Sequence, residues 1–352
     1  MSESTVTPDQ IGLPTAIPLP VRTDWRIGMV GFGIIAGDHA RAYRAADWKI
    51  AAVADPLPEA RERARVQAEP DRIYEDYSEI MADPDVDVVA LLTHPSLREP
   101  VIRAAASAGK HVLTEKPFGS TLAECERMVE TAAAAGIHLA VSQNYRFFPS
   151  NFYAYHLVRQ GYVGKPFFAS IEIFGTQDVG LKDNPFYSVC TDFLTVQWNT
   201  HLADLIRYWT DRDPRRICCS TRRMEGQNFV SDNLLLSMVD FGPNLTGHIL
   251  HTELLRSGMS GAPCRVDGDA GSIAFDLWGK SIRISSSQFG DQVLDLSTSQ
   301  FLPSQCGTMG DLLISIEEGR EPLISGRRNL STMRHVIAEQ ESSNAGGVWV
   351  EV

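Results

Sequence analysis

The sequence contains no apolar run of the roughly 18 residues that a membrane-crossing helix needs, so no span is expected. Its opening segment, up to Arg22, lacks the basic start and apolar stretch of a secretory leader. The six cysteines (Cys125, Cys190, Cys218, Cys219, Cys264, Cys306) show neither zinc-type nor redox-type spacing. A reduced, cytoplasmic setting without a metal site is therefore expected. Positive charge is also in short supply, with 32 Lys and Arg against 44 Asp and Glu and a net charge of −12. That balance excludes a nucleic-acid backbone or an anionic membrane as the main partner, although a local basic pocket for one small anion stays open. No internal repeat or low-complexity tract is visible.

What is present is a chain of 352 residues, long enough for two domains. Residues 1–24 read as a polar, then Pro-rich arm, expected to be a flexible tail. From Arg26 the texture changes. Short apolar runs at Arg26–Val30, Lys49–Ala54, Val86–Leu92, His111–Thr114 and Ile137–Val141 alternate with helical segments. The helices are Ile35–Ala46, Leu57–Gln67, Leu97–Ala108 and Leu122–Ala135. Runs apolar on both faces and separated by helices predict a parallel sheet covered on both sides. Thr121 and Glu124 form a capping-box pattern before Leu122, and Gly136 supplies the stop.

Beyond residue 148, Phe167–Phe174, Arg216–Thr221, Asn233–Phe241, Leu245–Glu253, Ser272–Leu277 and Ser281–Ser285 read as successive strands. Helices near His201 and at Leu330–Glu341 accompany them. The fold class is thus α/β: a Rossmann domain over 25–147, then an α+β domain over 148–352 on a large, mostly antiparallel sheet. Cys218 and Cys219, and likewise His248 and His251, should face opposite sides of their strands; the two histidines read as structural.

The strand Arg26–Val30 leads into Gly31-Phe-Gly-Ile-Ile-Ala36, a G-x-G-x-x-A fingerprint. Gly31 permits the tight turn, Gly33 lets backbone approach a pyrophosphate, and Ala36 allows helix and strand to pack closely. Phe32, Ile34 and Ile35 complete the loop. The next strand ends at Asp55, placed to bind the adenosine ribose hydroxyls and to repel a 2′-phosphate. NAD is therefore favoured over NADP. The competing reading makes Asp55 a cap of the following helix. Arg61, Arg63 and Arg65 would weaken the NAD preference if they reached the ribose, but read better as a solvated helix face.

Ala108-Gly-Lys-His-Val-Leu-Thr-Glu115-Lys116-Pro117 resembles the Glu-Lys-Pro signature of the glucose–fructose oxidoreductase/inositol dehydrogenase (Gfo/Idh/MocA-type) family. The resemblance runs from Arg26 through His39, Thr93, Gln143-Asn-Tyr-Arg-Phe147, Gly164-Lys-Pro166, His201 with Asp204, and Gly326-Arg-Arg-Asn-Leu330. Around Asp183-Asn-Pro-Phe186 it is similar to the branch of aldose dehydrogenases acting on sugars such as apiose. It implies an NAD-binding domain followed by a substrate and oligomerisation domain. The expected partners are a sugar or polyol and further copies of the chain, a homodimer or homotetramer joined through the open sheet face. It also implies that Lys116-Pro117 is often cis, and that Thr93, His94, Glu115, Lys116 and Asn144 join the fingerprint in holding the cofactor.

The implied chemistry is hydride transfer between nicotinamide and a hydroxyl-bearing carbon of a sugar, aldose or cyclitol. His201 is the candidate acid/base, and Lys116 the group that holds the reacting oxygen. A histidine opening a helix is more often structural, but the matched position and the presence of Lys116 favour function. Asp204 either orients the site or serves as a helix N-terminal charge. Tyr145, Arg146, Gln197, Trp198 and Asn199 are candidates for substrate binding, with Trp198 equally readable as core.

Three departures qualify the resemblance. Gln197 stands where most relatives have Asp and cannot carry the charge that favours imidazolium. His94-Pro95 replaces the usual Pro-Asn, and Arg98 replaces a frequent His. Two other activities remain open from the sequence: a glycoside-processing enzyme that cycles bound NAD through oxidation and elimination, and a non-catalytic NAD-binding regulator.

Overall fold

The computed structural model describes residues Ser4–Val352; Met1–Glu3, the start of the expected arm, lie outside the described residues. The chain forms two compact units. One consists of Ala16–Phe147 and Phe301–Leu330; the other takes the residues up to Thr15, Phe148–Gln300 and Ser331–Val352.

In chain order the elements begin with a short strand, β1 (Ser4–Val6). There follow β2 (Arg26–Val30), α1 (Ala36–Ala45), β3 (Lys49–Ala54), α2 (Pro58–Gln67), β4 (Arg72–Tyr74) and α3 (Tyr77–Ala82). Next come β5 (Val88–Leu91), α4 (Arg98–Ser107), β6 (His111–Thr114), α5 (Leu122–Ala135) and β7 (Leu139–Val141). The six strands β2–β7 make one sheet in the order β4-β3-β2-β5-β6-β7, and every pair is parallel. The order reverses direction between β2 and β5. In a doubly wound sheet that reversal opens a crevice at the strands' carboxyl ends, where ligands bind. Val88, Val89, Ala90 and Leu91 are all fully buried, as expected for a strand covered on both faces.

Local signals account for several boundaries. The Thr121 side chain accepts from Glu124 N–H while Glu124 reaches back to the cap backbone, so both halves of the α5 capping box form. Gly136 ends that helix in the left-handed region at φ 68°. The β4–α3 pair was not read from the sequence. Its strand is three residues long, and its helix spans only Tyr77–Ala82, started by an Asp76 capping box.

The other unit continues with α6 (Pro149–Arg159), β8 (Pro166–Phe174), α7 (Gln177–Gly180), a π-helical turn (Phe193–Trp198) and α8 (Asn199–Thr210). Six strands follow: β9 (Arg216–Arg222), β10 (Leu234–Asp240), β11 (Thr246–Thr252), β12 (Pro263–Gly268), β13 (Gly271–Asp276) and β14 (Ser281–Ser286). The chain ends with β15 (Gly290–Asp295), α9 (Ser304–Glu318), α10 (Gly326–Asn344) and β16 (Trp349–Glu351). The ten-stranded sheet runs β1-β15-β14-β13-β12-β8-β11-β10-β9-β16. Only β1 with β15 and β8 with β11 pair in parallel. Ile217, Cys219, Leu235, Val239, Ile249 and Ile171 fill one face, while Leu236 and Met238 on the other are nearly half exposed. No helix among the described residues is long and apolar enough to cross a membrane.

Two expectations change. The arm does not read as a flexible tail in the structure: Ser4–Val6 pairs in register with Gln292–Leu294, and Leu13 and Ile17 are buried. Val21 and Arg22 donate their backbone N–H groups to Glu317. The missed signal is a set of apolar residues spaced among prolines, each of which fills a hole without any periodicity. The chain also crosses between the units late, because α9 packs with residues of the Rossmann unit: Cys306 donates to Ala42 O, and Gly307 lies against the Phe147 ring, where a Cβ would approach to 2.2 Å.

Candidate active site

In the Rossmann unit, Gly31 follows β2 at φ 88°, and a Cβ there would come within 3.0 Å of Thr93 at the end of β5. The glycine therefore fits both the turn and the close approach of the two strands at the switch point. Gly33 differs. A Cβ at Gly33 would meet nothing within 4 Å, so nothing inside the chain requires its smallness. Open space beside the loop is what a backbone approach to a pyrophosphate needs, and these residues fit a dinucleotide. Phe32 is buried, whereas Ile34 is 92% exposed and Ile35 is partly so.

Asp55 caps the end of β3. Its carboxylate accepts from Phe32 N–H at 2.7 Å and from Leu57 N–H at 2.9 Å. It thus holds both the fingerprint loop and the entry to α2. Arg63 donates to Phe32 O at 3.0 Å, and Arg61 donates to Asp55 O, Pro56 O and Glu75. Of the three arginines assigned to a solvated face, only Arg65, paired with Glu62, behaves that way. The other two fold back because the carbonyls of the neighbouring loops lie within reach of a long guanidinium.

Lys116 follows β6, and the Lys116-Pro117 peptide is cis. Glu115 is buried. Its Oε1 meets His39 Nε2 at 2.9 Å, His39 Nδ1 meets the Tyr43 hydroxyl at 2.8 Å, and its Oε2 accepts Lys116 N–H at 3.0 Å. Burial raises the Glu115 carboxyl, but the His39 hydrogen bond and the charges of His39, Lys116 and Arg98 outweigh it and hold the group below its ordinary range. Burial pushes the Lys116 ammonium down, against the pull of Glu115 and with the help of Arg98. The site therefore holds a lysine that titrates below its ordinary range beside a carboxylate kept ionised.

Thr93 Oγ1, Thr114 Oγ1 and both amide atoms of Gln143 are buried without hydrogen-bond partners at the carboxyl ends of β5, β6 and β7. Polar groups left in this way are suited to a polar ligand. The sequence reading did not single out Thr114 or the Gln143 side chain. His94 is exposed and caps the following turn through Ser96. Asn144 donates to Ser304 at 3.1 Å. Arg146 is buried and donates to Leu323 O at 2.9 Å, so its guanidinium contributes to the packing of this unit.

In the other unit, Gln197 and Trp198 close the π-helical turn. Gln197 N–H bonds to Asp192 O, five residues back, at 3.3 Å. Such one-turn bulges recur at functional sites because they re-aim the residues that follow. His201 lies in the first turn of α8 and is 5% exposed. The Trp198 ring stands edge-on to three others: His251 at 5.0 Å, His201 at 6.1 Å and Trp278 at 6.5 Å between centroids. Trp278 and His251 were not picked out as neighbours of Trp198. They come from β11 and from the turn after β13, and no sequence spacing encodes their approach. His251 is fully buried on Glu253, with Nε2 and Oε1 at 2.9 Å.

Asn199, a candidate for substrate contact, is fully buried and donates to Glu339, which also meets His335 Nε2 at 3.2 Å. One helical turn beyond His201, Asp204 accepts from Thr332 at 3.2 Å. Both residues belong to the contact of α8 with α10. A helix presents several faces within one turn, and the sequence motif does not say which of its polar residues look inward.

Comparison with known proteins agrees with this geometry. Residues 25–143 match the oxidoreductase family described by its NAD-binding Rossmann fold. A D-apiose dehydrogenase from Paraburkholderia graminis is 28% identical over 198 residues, 56% of this chain and 52% of that protein. An inositol 2-dehydrogenase from Acidothermus cellulolyticus is 34% identical over 151 residues, 42% of this chain and 44% of its own. The chain thus spans about half the length of these curated relatives. An oxidoreductase from Agrobacterium radiobacter, solved with NAD+, L-tartaric acid and magnesium, superposes with a TM-score of 0.84. That match covers 93% of this chain and 98% of the other at 21% identity, a likeness of fold. By its Rossmann unit, its Gly31–Ala36 fingerprint and its Glu115-Lys116-Pro117 segment, the chain is similar over residues 25–143 to the Gfo/Idh/MocA-type oxidoreductase family with an NAD-binding Rossmann fold.

Proposed function

We propose that this protein is an NAD-dependent oxidoreductase that moves a hydride between nicotinamide and a hydroxyl-bearing carbon of a sugar, aldose or cyclitol. The observation that carries this reading is the Lys116 environment, a buried carboxylate and a depressed ammonium at the carboxyl end of a Rossmann sheet. Gly31, Gly33, Asp55, Thr93 and Glu115 would hold the dinucleotide, with Asp55 selecting NAD. When bound, NAD supplies the hydride acceptor.

Lys116 donates a hydrogen bond to the reacting oxygen and stabilises the negative charge that grows there as the hydroxyl proton leaves. His201 takes that proton during oxidation and returns it during reduction. Trp198 offers an aromatic face to the C–H side of a sugar ring, with Gln197 as the polar residue beside it in the chain, and Tyr145 is a further candidate for a substrate hydroxyl. The identities of the relatives, an apiose and an inositol dehydrogenase, support a polyhydroxylated substrate. The open face of the ten-stranded sheet, where Leu236 and Met238 lie half exposed, would receive a second copy of the chain.

An NAD-linked screen of aldoses, cyclitols and their acids tests the reading. NADH formation is expected with at least one of these classes, and its loss in both Lys116→Ala and His201→Ala. Turnover that survives in both variants would remove the mechanism. Sedimentation of the purified protein checks the assembly, with a dimer or larger species expected.

A further inference from the structure

Arg98 carries a charge into the interior of the Rossmann unit. It opens α4, and it is 2% exposed. A guanidinium taken so far out of water needs strong partners, because desolvating a charge is costly. Arg98 finds them in the main chain. Nε and Nη2 donate to Thr93 O at 3.2 and 2.9 Å. Nη1 donates to the carbonyls of Glu115 and Pro117, with Phe118 O at 3.4 Å. Its hydrogen bonds with described residues all go to backbone oxygens, on two loops that follow different strands.

The planar fork of an arginine, with five N–H groups in fixed directions, can reach both loops at once. Thr93 is in turn the residue against which Gly31 packs. One side chain therefore connects the fingerprint turn, the end of β5 and the backbone on both sides of Lys116. Burial pushes Arg98 itself down to about 10, and Glu115 opposes that shift. Its positive charge also bears on Lys116, in the direction that favours loss of the lysine proton.

We propose that Arg98 is a positioning residue that fixes Lys116 and the Thr93 loop in a single arrangement by holding the carbonyls of Thr93, Glu115, Pro117 and Phe118. The inference rests on the role given to Lys116 above. It goes beyond that role in naming what sets the lysine in place.

Arg98→Met, Arg98→Lys and Arg98→His in the full chain test it, by turnover against pH and by amide hydrogen exchange over Glu115–Ser120. Misplacing a catalytic group by about 1 Å costs about 10²-fold in rate, so Arg98→Met should lose about ten- to a hundredfold in kcat. Its alkaline limb should move to higher pH, because the neighbouring positive charge is gone. Arg98→Lys restores the charge and the limb but cannot span both loops, so most of the turnover deficit should remain. Exchange over Glu115–Ser120 should quicken at least about tenfold in both variants, since local opening is governed by the bonds that hold the segment.

Wild-type exchange together with a wild-type limb and kcat in Arg98→Met would overturn the proposal. If Arg98→Met does not fold, Arg98→Lys and Arg98→His carry the same comparison. Lys116→Ala, measured alongside, separates the two ideas. Turnover that persists there removes the lysine mechanism, while the exchange result still decides whether Arg98 holds the loop.

Discussion

The surroundings of Lys116 and of His201 are built in different ways. Around Lys116 side chains grip the main chain: the Glu115 carboxylate binds the lysine N–H, and the Arg98 guanidinium binds carbonyls before and after it. Around His201 the neighbours are side chains, with Trp198 edge-on to the ring and the residues beside it locked onto Glu339 and Thr332. Backbone held by backbone-directed groups constrains sequence tightly over a few consecutive residues. Rings packed from separate strands constrain shape, and many residue types satisfy shape. The first region therefore carries a compact motif, while the second is set by shape and leaves little local pattern.

The largest expected effect breaks the first region. Lys116→Ala should lower kcat/KM by about 10²- to 10³-fold, the usual cost of removing a donor to a developing oxyanion. NAD affinity, read by calorimetry, should fall by much less than turnover, because the fingerprint loop and Asp55 remain. In the same region, turnover should fall on the alkaline side below the ordinary lysine range. Burial and Arg98 push the ammonium down, the proton leaves at lower pH, and the unprotonated amine no longer stabilises the oxyanion. A kcat/KM profile with its upper limb at or above the ordinary lysine value would contradict the assignment.

A second effect concerns the frame of the other region. Asp178 is fully buried and accepts from Asn228, Phe229 and Asn233, with Arg256 at 3.0 Å. Burial raises its carboxyl, but these bonds and the Arg256 charge outweigh that and hold it below its ordinary range. Asp178→Ala strands buried donors and should cost about 3 kcal/mol in thermal or denaturant unfolding. The sign of the pH dependence follows from the depressed folded value. The contribution is complete above the unfolded aspartate range and is lost as pH falls through the folded one. A smaller change is expected at the cofactor. Asp55→Asn should weaken NAD binding by about tenfold, measured by titration, and narrow the gap to NADP, since a carboxylate to ribose bond is charge-assisted.

How much of this was legible follows from the same contrast. The strands Arg26–Val30, Lys49–Ala54 and His111–Thr114 and the helix Leu122–Ala135 have the ends read from sequence, because buried strands and a full capping box leave local signals. The strand Pro263–Gly268 was missed. Only Cys264 and Val266 point inward, and two apolar residues between a proline and a glycine make no pattern. At the site, Gly31, Asp55 and Lys116 were read from motifs whose chemistry is local. The bonds of Asn199 to Glu339 and of Arg146 to Leu323 O were not legible, because nothing local records what α10 or the Leu323 loop presents to them. The π-helical turn was also invisible, since one additional residue in a helix changes hydrogen bonding without changing composition.

The smallest expected effect sharpens the second region most. Gln197 lies four residues before His201, at the junction of the π-helical turn and α8. Gln197→Asp would return a negative charge on the same side of the helix, where residues four apart are neighbours. A nearby carboxylate favours imidazolium, so the histidine would hold its proton to higher pH. Oxidation needs the neutral ring, and the acid limb of kcat/KM should therefore move up by about one pH unit, with less than about tenfold change at its plateau. The opposite direction, toward NADH consumption, needs the protonated ring and should retain activity to higher pH. Opposed shifts in the two directions would identify His201 as the group that carries the proton. Limbs that stay fixed in both would assign the proton to another residue and leave His201 to the packing of Trp198.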